Sequence, residues 1–368
     1  MTEDALRIAA VTAHRSHEVA EPLTLADGTV EVVDIDPDDG FVERNVKTVA
    51  RLVELTSDPA PDAVLSDCLG LLGFIVAAVC VLRGVPFVFR FKGDHWRGLN
   101  EIYRVDGDGS VATKLRYYLT YALDEAIYAS ACGYVVVSEE LKEVVVERTG
   151  CRPEQVRVVH VPLVPDRDDG SAAAARERFG IDEETVLLTV TNLKYRGKYE
   201  GVRTVVRGME SVLAAHEDAA YVVAGGGIHL DAVRRAVDAI DDPAVRDRIY
   251  VVGFVDDVAD LYALADAFVY VSHIDGYPRA VLEAQQSALP AVVNAAHGMV
   301  EQVEDGENGL VLEEATPDAV ARRVTELLAR DDRVRMGENA RERVRTENDP
   351  AAIGDQLVAA MTGILKHR

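Results

Sequence analysis

The chain has 368 residues, which predicts two domains, and its 48% hydrophobic and 28% charged residues are ordinary for a globular protein. This composition excludes a disordered or collagen-like chain. With 63 Asp and Glu against 39 Lys and Arg, the formal net charge is −24. Such a field repels phosphate groups, so we expect no nucleic-acid partner and at most peripheral membrane association.

The basic residues are mostly arginine, with 32 Arg and 7 Lys. An acidic chain with this balance is typical of salt-adapted proteins, and it predicts a halophilic source, an archaeon. The four cysteines have neither a zinc-site spacing nor a dense disulfide pattern, which predicts reduced thiols in a cytoplasmic protein. Residues 1–6 lack the apolar core of a signal peptide, and the longest apolar run, Leu69–Leu82, is too short to span a bilayer.

Short β-branched runs alternate with helical patterns along the chain, which predicts parallel sheets with helices on both faces. In the first half, the predicted strands are Arg7–Val11, Val30–Ile35, Ala63–Leu65, Pro86–Phe91, Tyr134–Val137 and Val156–His160. The predicted helices there are Val42–Leu55, Gly70–Arg83, Ala112–Ala131 and Glu139–Arg148. The alternation pauses at Val161–Asp169, where two prolines and a run of acidic residues predict a hinge.

The same alternation restarts after the hinge. The predicted strands are Thr185–Thr191, Tyr221–Ala224, Ile249–Val252, Ala267–Val271, Ala291–Asn294 and Gly309–Leu312. The predicted helices are Glu200–His216, Ile228–Ile240, Val258–Leu264, Pro278–Ser287, Pro317–Arg330 and Ala351–Lys366. We therefore predict an α/β fold with Rossmann-like domains at 1–165 and 166–345, facing each other across a cleft. In residues 346–368, the last helix is expected to pack back toward the N-terminal domain.

The segment Val271–Ala284 concentrates groups that suit a phosphorylated sugar. A strand ends there, Gly276 and Tyr277 form a turn, and Pro278 and Arg279 begin a helix whose first N–H groups would attract a diphosphate. Asp275 and Glu283 flank that helix start, and carboxylates accept hydrogen bonds from paired sugar hydroxyls. The alternative for Asp275 is a plain N-cap, and for Glu283 a surface partner of Arg279.

The spacing Asp275-x7-Glu283 resembles the E-x7-E signature of retaining glycosyltransferases of family 4, also called glycosyl transferases group 1. The surrounding sequence is similar as well, at Ala288–Val293, Gly298–Val303, Asp305–Gly309, Gly253–Val255 and Leu261–Asp266. The resemblance covers about Thr185–Glu313. It implies the GT-B fold and sugar transfer from a nucleoside diphosphate sugar with retention of configuration.

A basic loop at Thr191–Gly201 is the second predicted site, because it holds three cations in a chain with few lysines. The resemblance implies that Lys198 binds the donor phosphates and stabilises the leaving diphosphate. Asn192 stands where the family has an arginine, so the second cation is either Arg196 or absent. The alternative is a solvated basic turn.

Two glycines, Gly225 and Gly226, permit close approach of the backbone to a ligand, and the resemblance places them and Phe254 beside the nucleotide. In the first half, Lys92 stands where the family usually has a histidine near the donor sugar and acceptor. The neighbouring candidates on this acceptor or donor-sugar side are Asp94, His95 and Trp96. Trp96, the single tryptophan, suits stacking on a sugar, although packing over the hinge explains it equally well. The family's N-terminal Gly-Gly loop is not evident at Ala13–Glu18.

Some features carry no site prediction. Asp34–Asp36 and Asp106–Asp108 fit an Asp-x-Asp metal motif, but such triplets arise by chance among 63 acidic residues, so we predict no metal site. The helix Lys114–Tyr128 could touch a membrane, and core packing is preferred.

The predicted function is a metal-independent retaining glycosyltransferase whose catalytic residues are Lys198, Asp275 and Glu283. A nucleotide sugar is its substrate, no cofactor is needed, and the acceptor is a glycan or a lipid-linked hydroxyl. The alternatives are a GT-B nucleotide-sugar epimerase, or a silent sugar-nucleotide binding protein, because fold does not dictate function.

Overall fold

Two parallel six-stranded sheets with helices packed on them form the framework of the chain, as the alternating pattern predicted. The structure is a computed structural model and describes residues 6–12, 18–26, 29–34, 40–57, 59–163 and 170–367. The chain divides into two units: unit 1 is Met1–Pro162 with Glu347–Arg368, and unit 2 is Leu163–Thr346.

Unit 1 is built on a sheet with the order β2-β1-β3-β4-β5-β6. Its strands are β1 (Arg7–Thr12), β2 (Thr29–Asp34), β3 (Ala63–Ser66), β4 (Phe87–Phe91), β5 (Gly133–Val136) and β6 (Val156–Val158). Its helices are α1 (Ala20–Leu25), α2 (Phe41–Leu55), α3 (Gly70–Arg83), α4 (His95–Asn100), α5 (Val111–Ser130), α6 (Glu139–Thr149) and, at the chain's end, α16 (Pro350–Lys366). A π-helical turn, Glu101–Val105, joins α4 to α5, and a 3₁₀ turn, Pro153–Gln155, precedes β6.

Helix α16 is the element that closes unit 1. Asp349 caps it by accepting hydrogen bonds from the N–H groups of Ala351 and Ala352, and Pro350 begins it because its missing N–H is not needed there. Its apolar face packs against α1 and against β5 and β6.

Unit 2 repeats the arrangement with the order β12-β11-β10-β7-β8-β9. Its strands are β7 (Thr185–Val190), β8 (Ala219–Ala224), β9 (Ile249–Gly253), β10 (Ala267–Tyr270), β11 (Ala291–Asn294) and β12 (Gly309–Leu312). Its helices are α7 (Ala172–Phe179), α8 (Arg196–Ala215), α9 (Leu230–Asp238), α10 (Pro243–Arg246), α11 (Ala259–Leu264), α12 (Arg279–Gln286), α13 (Met299–Gln302), α14 (Pro317–Leu328) and α15 (Arg333–Glu347). Strands β8, β10 and β11 are buried along their whole length, as parallel strands covered on both faces must be.

The strand order of unit 2 reverses between β7 and β10. The chain proceeds from β7 to β8 on one side and reaches β10, β11 and β12 on the other. In open α/β sheets, ligands bind at the carboxyl ends of the strands at such a switch point. The topology therefore selects the loops after β7 and β10 as the place to look for a site.

Two features of unit 1 differ from what the sequence pattern predicts. No helix is predicted between the strand Pro86–Phe91 and the helix Ala112–Ala131, but the segment after β4 forms helix α4, which Asp94 caps. The preferred core packing of α5 is wrong for its first half, where Tyr118 is 63% and Leu119 is 60% exposed. Most of the predicted hinge, residues 164–169, lies outside the described residues.

None of the helices in the described part of the chain is long and apolar enough to cross a membrane.

Candidate active site

The loops after β7 and β10 meet because these two strands are neighbours, paired through Ala267 with Leu187 and Phe268 with Leu188. Helix α8 follows the β7 loop and lies directly on the end of β10. A side chain at Gly201 of α8 would overlap the backbone carbonyl of Val271, so only glycine permits this approach. The contact brings the first turn of α8 to the residues that follow β10.

Lys198 and Asp275 form a buried ion pair at this point. Lys198 Nζ lies 2.8 Å from Asp275 Oδ1, and the two side chains are 10% and 14% exposed. Tyr270, the last residue of β10, joins them: Lys198 Nζ donates to its hydroxyl at 3.3 Å, and that hydroxyl donates to Asp275 Oδ2 at 2.7 Å. We call Lys198, Tyr270 and Asp275 the charged cluster.

The charged cluster keeps both of its charges although burial opposes them. Burial works to lower the pKa of Lys198, but Asp275 and Tyr270 more than offset it and the pKa is raised. Burial likewise works to raise the pKa of Asp275, and Lys198 and further hydrogen bonds bring the pKa below its ordinary value. The Tyr270 pKa is raised by burial and by Asp275, so its hydroxyl stays protonated. The cluster therefore presents an ammonium and a carboxylate at neutral pH.

The simple capping role for Asp275 is not what the structure shows. The residue at the N-cap of α12 is Pro278, and Asp275 lies before it with its carboxylate on Lys198 and Tyr270. On α12, the half-buried Glu283 accepts a hydrogen bond from the Tyr262 hydroxyl at 3.0 Å.

The turn before α12 is held by burial and by a hydrogen bond from α13. Gly276, Tyr277 and Pro278 are buried, and the carbonyl of Pro278 accepts from Gln302 Nε2 at 3.0 Å. Arg279, the first helical residue, is half-buried. This support holds the helix start in one position.

The glycine loop after β8 packs on the loop after β7. A Cβ on Gly225 would overlap the Thr191 carbonyl, and the Gly226 carbonyl accepts from the Leu193 N–H at 2.9 Å. Phe254 lies against Gly226 and is 74% exposed. These contacts place an exposed aromatic ring and a bare stretch of backbone beside the β7 loop.

Asn192 and Arg196, the predicted donor-binding residues near Lys198, are both exposed and lie outside the charged cluster. Asn192 is exposed. Arg196 is exposed as well, and its Nε donates to Glu200 at 3.0 Å along the surface of α8. The structure thus joins Lys198 to Asp275 and pairs Arg196 with Glu200.

In unit 1, Lys92 and Asp94 follow β4. Lys92 Nζ lies 2.7 Å from Asp67 Oδ2, and Asp67 is the first residue after β3. Asp94 is the N-cap of α4, and it accepts from the Arg97 N–H at 2.9 Å. Lys92 therefore carries its charge at the carboxyl edge of the sheet, while Asp94 has a local structural role.

His95 and Trp96 are packed side chains. His95 Nδ1 lies 3.3 Å from the Tyr128 hydroxyl, and burial together with the charge of Lys92 lowers the pKa of the imidazole to about 3, so it is neutral. Trp96 is 9% exposed, lies against Phe91 with a ring separation of 5.3 Å, and donates from Nε1 to Glu125 at 2.7 Å. The expectation that Trp96 stacks on a sugar is wrong in this structure, because aromatic packing uses its faces and Glu125 uses its N–H.

Three residues of these clusters were missed by sequence reasoning: Tyr270, Tyr262 and Asp67. Tyr270 and Asp67 stand at or directly after a strand end, where functional side chains collect in α/β sheets, and that position is the signal that could have found them. Tyr262 had no such signal, because only the tertiary contact between α11 and α12 reveals it.

No three His, Cys, Asp or Glu side chains lie together as a metal-ion site in the part of the chain that the structure describes. Asp108 of the second Asp-x-Asp triplet accepts hydrogen bonds from Ser110 and Thr113 at the start of α5. Of the first triplet, residues 35 and 36 lie outside the described residues, as do residues 13–17.

Comparison with known proteins supports this assignment of the site to unit 2. Residues 172–343 match the family glycosyl transferases group 1. The matched segment contains the charged cluster, the glycine loop and Glu283.

The relatives found by sequence are glycosyltransferases. An uncharacterised glycosyltransferase of Methanocaldococcus jannaschii is 27% identical over 230 residues, which are 60% of this chain and 55% of the relative. A GDP-mannose-dependent α-(1-6)-phosphatidylinositol monomannoside mannosyltransferase of Mycobacterium tuberculosis is 30% identical over 190 residues, 49% of this chain and 48% of the relative. The matches thus span about half the length of these relatives.

Solved structures are similar over nearly the whole chain. HepE of Anabaena in complex with UDP and glucose has a TM-score of 0.67 at 15% identity, covering 97% of this chain and 99% of that one. Sucrose-phosphate synthase of Thermosynechococcus elongatus has a TM-score of 0.67 at 18% identity, covering 99% and 100%. At such low identity the likeness concerns the fold, and it confirms the predicted GT-B class.

Proposed function

We propose that the protein is a retaining, metal-independent glycosyltransferase that moves a sugar from a nucleoside diphosphate sugar to a hydroxyl acceptor. The observation that carries the proposal is the charged cluster at the switch point of unit 2, within the segment that matches glycosyl transferases group 1. The named relatives support the donor class, since one uses GDP-mannose and a structural neighbour holds UDP with glucose.

Lys198 is the proposed diphosphate ligand. An ammonium group has three N–H donors, and Asp275 and Tyr270 accept two of them. The third would donate to a donor phosphate oxygen. Because the raised pKa keeps Lys198 charged, it would stabilise the negative charge that develops on the departing diphosphate.

Asp275 and Glu283 have different proposed partners. Asp275 is held in place by Lys198 and Tyr270 and would accept hydrogen bonds from hydroxyls of the donor sugar. Glu283, oriented by Tyr262, would accept from the ribose hydroxyls. The first N–H groups of α12 would add positive potential near the diphosphate. Gly225, Gly226 and Phe254 would border the nucleotide.

In the proposed reaction, the bond between the sugar's anomeric carbon and the phosphate oxygen breaks, and its electron pair stays on the diphosphate. The acceptor oxygen forms the new bond on the face that the diphosphate leaves, and its proton passes to the diphosphate. Retention rests on the resemblance of Asp275-x7-Glu283 to the family signature. Positioning by the two carboxylates lowers the barrier, since aligned reactants need no further ordering.

Lys92, paired with Asp67, is the proposed cation on the acceptor side, and a glycan or a lipid-linked hydroxyl is the proposed acceptor. The four cysteines are reduced, which supports a cytoplasmic location. The acidic, arginine-rich composition supports a salt-adapted source, an archaeon.

The test compares Glu283→Gln with Asp275→Asn, using Glu210→Gln on the exposed surface of α8 as the matched control. Glu283→Gln should lower the affinity for both the donor and the free nucleoside diphosphate by about ten- to a hundredfold, which corresponds to the loss of one hydrogen bond to a charged group. Asp275→Asn should leave diphosphate affinity nearly intact and lower turnover, because the sugar is the only part of the donor that it is proposed to touch and the asparagine oxygen can still accept from Lys198. Titration calorimetry and a transfer assay with the full donor give the two readouts.

If both variants bind and turn over like the parent, neither carboxylate holds the donor and the assignment is wrong. If the parent binds nucleotide sugars but neither transfers nor hydrolyses them, it is a sugar-nucleotide binding protein. Complete loss of turnover in chelator that manganese restores would refute metal independence.

A further inference from the structure

The first half of helix α5 carries an exposed apolar face and has no buried residue. From Val111 to Leu123 every side chain is exposed or half-exposed. Val111, Leu115, Tyr118 and Leu119 are 83%, 69%, 63% and 60% exposed, and their spacing places them on one side of the helix. We call these four residues the α5 face. A helix normally buries such a face, so its exposure points to a partner.

Neighbouring elements extend the exposed apolar surface. Helix α3 packs against α5, and it leaves Leu71, Phe74, Val81 and Leu82 exposed. The π-helical turn that contacts α5 leaves Ile102 and Val105 exposed. Three elements of unit 1 thus contribute exposed apolar side chains around the α5 face.

Helix α3 and the first half of α5 are free of acidic residues in a chain where about one residue in six is Asp or Glu. Residues 68–93 and 109–123 contain none, and their exposed cations include Arg83, Lys114 and Arg116. Arg116 lies over the Tyr103 ring at 5.9 Å, and Arg104 lies over Tyr117 at 5.6 Å. Apolar side chains, tyrosines and cations therefore occur together on two helical segments that carry no carboxylate, and the carboxylates nearest to them in sequence at the π-helical turn are Glu101, Asp106 and Asp108.

We propose that the α5 face binds the surface of a phospholipid bilayer. Val111, Leu115 and Leu119 would enter the boundary between headgroups and acyl chains, where apolar burial is gained without crossing the membrane. Tyrosine rings suit the headgroup level because they combine an apolar body with a hydroxyl. Lys114 and Arg116 would contact the headgroup phosphates.

The charges favour a bilayer over a second copy of the chain. In a two-fold dimer the same patch meets itself, so Lys114 and Arg116 would approach their own copies. A phosphate-bearing surface is complementary to them instead. The acidic remainder of the molecule is repelled by anionic lipid, which leaves this face as the one that binds. The inference stands apart from the proposed activity, since it uses none of the residues of unit 2.

The test is flotation of the full chain with vesicles of phosphatidylcholine and phosphatidylglycerol at seven to three, in 0.5 M salt. The double variant Leu115→Glu with Leu119→Glu should lose at least about tenfold in vesicle affinity, because two inserted side chains become charged. Val334→Glu is the matched control: Val334 is an equally exposed valine of unit 2, 73% against 69% for Leu115. This control should bind like the parent.

Arg116→Gln should bind more weakly than the parent and more tightly than the double variant. The proposal that the α5 face binds a bilayer is overturned if the parent does not float with the vesicles or if the double variant floats like the parent. It is overturned as well if Val334→Glu loses vesicle binding to the same extent as the double variant. It is also overturned if the parent sediments as a dimer that the double variant converts to a monomer, since the face would then join two copies. Calorimetric titration of nucleoside diphosphate with the double variant keeps this result separate from the proposed activity.

Discussion

Removing the ammonium of the charged cluster should destabilise unit 2 far more than removing an exposed cation. Lys198→Met keeps the length and apolar stem of the side chain but leaves the Asp275 carboxylate buried without its countercharge. Breaking a buried pair in this way costs about 3 kcal/mol. In a unit of this size, that loss corresponds to a fall in melting temperature of roughly 6–12 °C.

Glu200→Gln is the control on the same helix. It breaks the ion pair between Arg196 and Glu200, whose side chains are 52% and 37% exposed. Exposed pairs at this i,i+4 spacing on a helix contribute about 0.3–0.5 kcal/mol. Denaturant unfolding followed by circular dichroism, in one buffer of fixed salt, measures both variants. The double variant Lys198→Met with Asp275→Asn should cost about 2 kcal/mol less than the sum of the single changes.

The coupling between Lys198 and Asp275 should also depend on pH in a defined way. The pKa of Asp275 is depressed in the folded chain, so its contribution is present above the unfolded value of about 3.9 and is lost as pH falls through the folded value. The pKa of Lys198 is raised, so its contribution is lost only as pH rises beyond the unfolded value of about 10.4 and through the folded one. We expect a constant coupling energy from pH 5 to 9 and a decline in stronger acid. Additive single changes at neutral pH would refute the reasoning.

Three further predictions concern the fold. Gly201→Ala should destabilise the chain severely because its Cβ would overlap the Val271 carbonyl, whereas Gly150→Ala has open space and should cost only the strain of its positive φ; denaturant unfolding compares them. Trp96 fluorescence should be poorly quenched by acrylamide, and Glu125→Gln should lower the thermal stability of unit 1; free quenching would contradict the packed indole. The melting temperature should rise between 0.1 and 1 M salt, because the Debye length falls from roughly 10 to 3 Å around a chain of net charge −24; a flat or falling curve would contradict salt adaptation.

The sequence by itself determined the elements whose signals are local. The helix Gly70–Arg83 and the strands Ala291–Asn294 and Gly309–Leu312 were predicted with the bounds that the structure shows. Apolar runs bounded by Gly, Pro and polar residues give such segments, because periodicity depends on a few neighbouring positions. The α/β class follows from the order of these elements.

Candidate residues could also be named from sequence, because Lys198, Asp275 and Glu283 stand beside strand ends and in a recognisable spacing. The contacts between these residues could not be predicted from the sequence. Lys198 and Asp275 are 77 positions apart along the chain. Neither the basic loop around Lys198 nor the Asp275-x7-Glu283 spacing contains information on the strand pairing that brings the two side chains to 2.8 Å. The same limit hid Tyr270, which mediates between the two charges.

Burial was decided by the tertiary structure alone. Trp96 and Tyr118 are both aromatic residues of helices, yet Trp96 is 9% exposed and Tyr118 is 63% exposed. Glu125 and Tyr128 of α5, which is distant in sequence, contact Trp96, whereas the described residues leave Tyr118 largely uncovered. A side chain's burial depends on which distant elements pack over it, and that packing is a property of the whole fold and not of any local pattern.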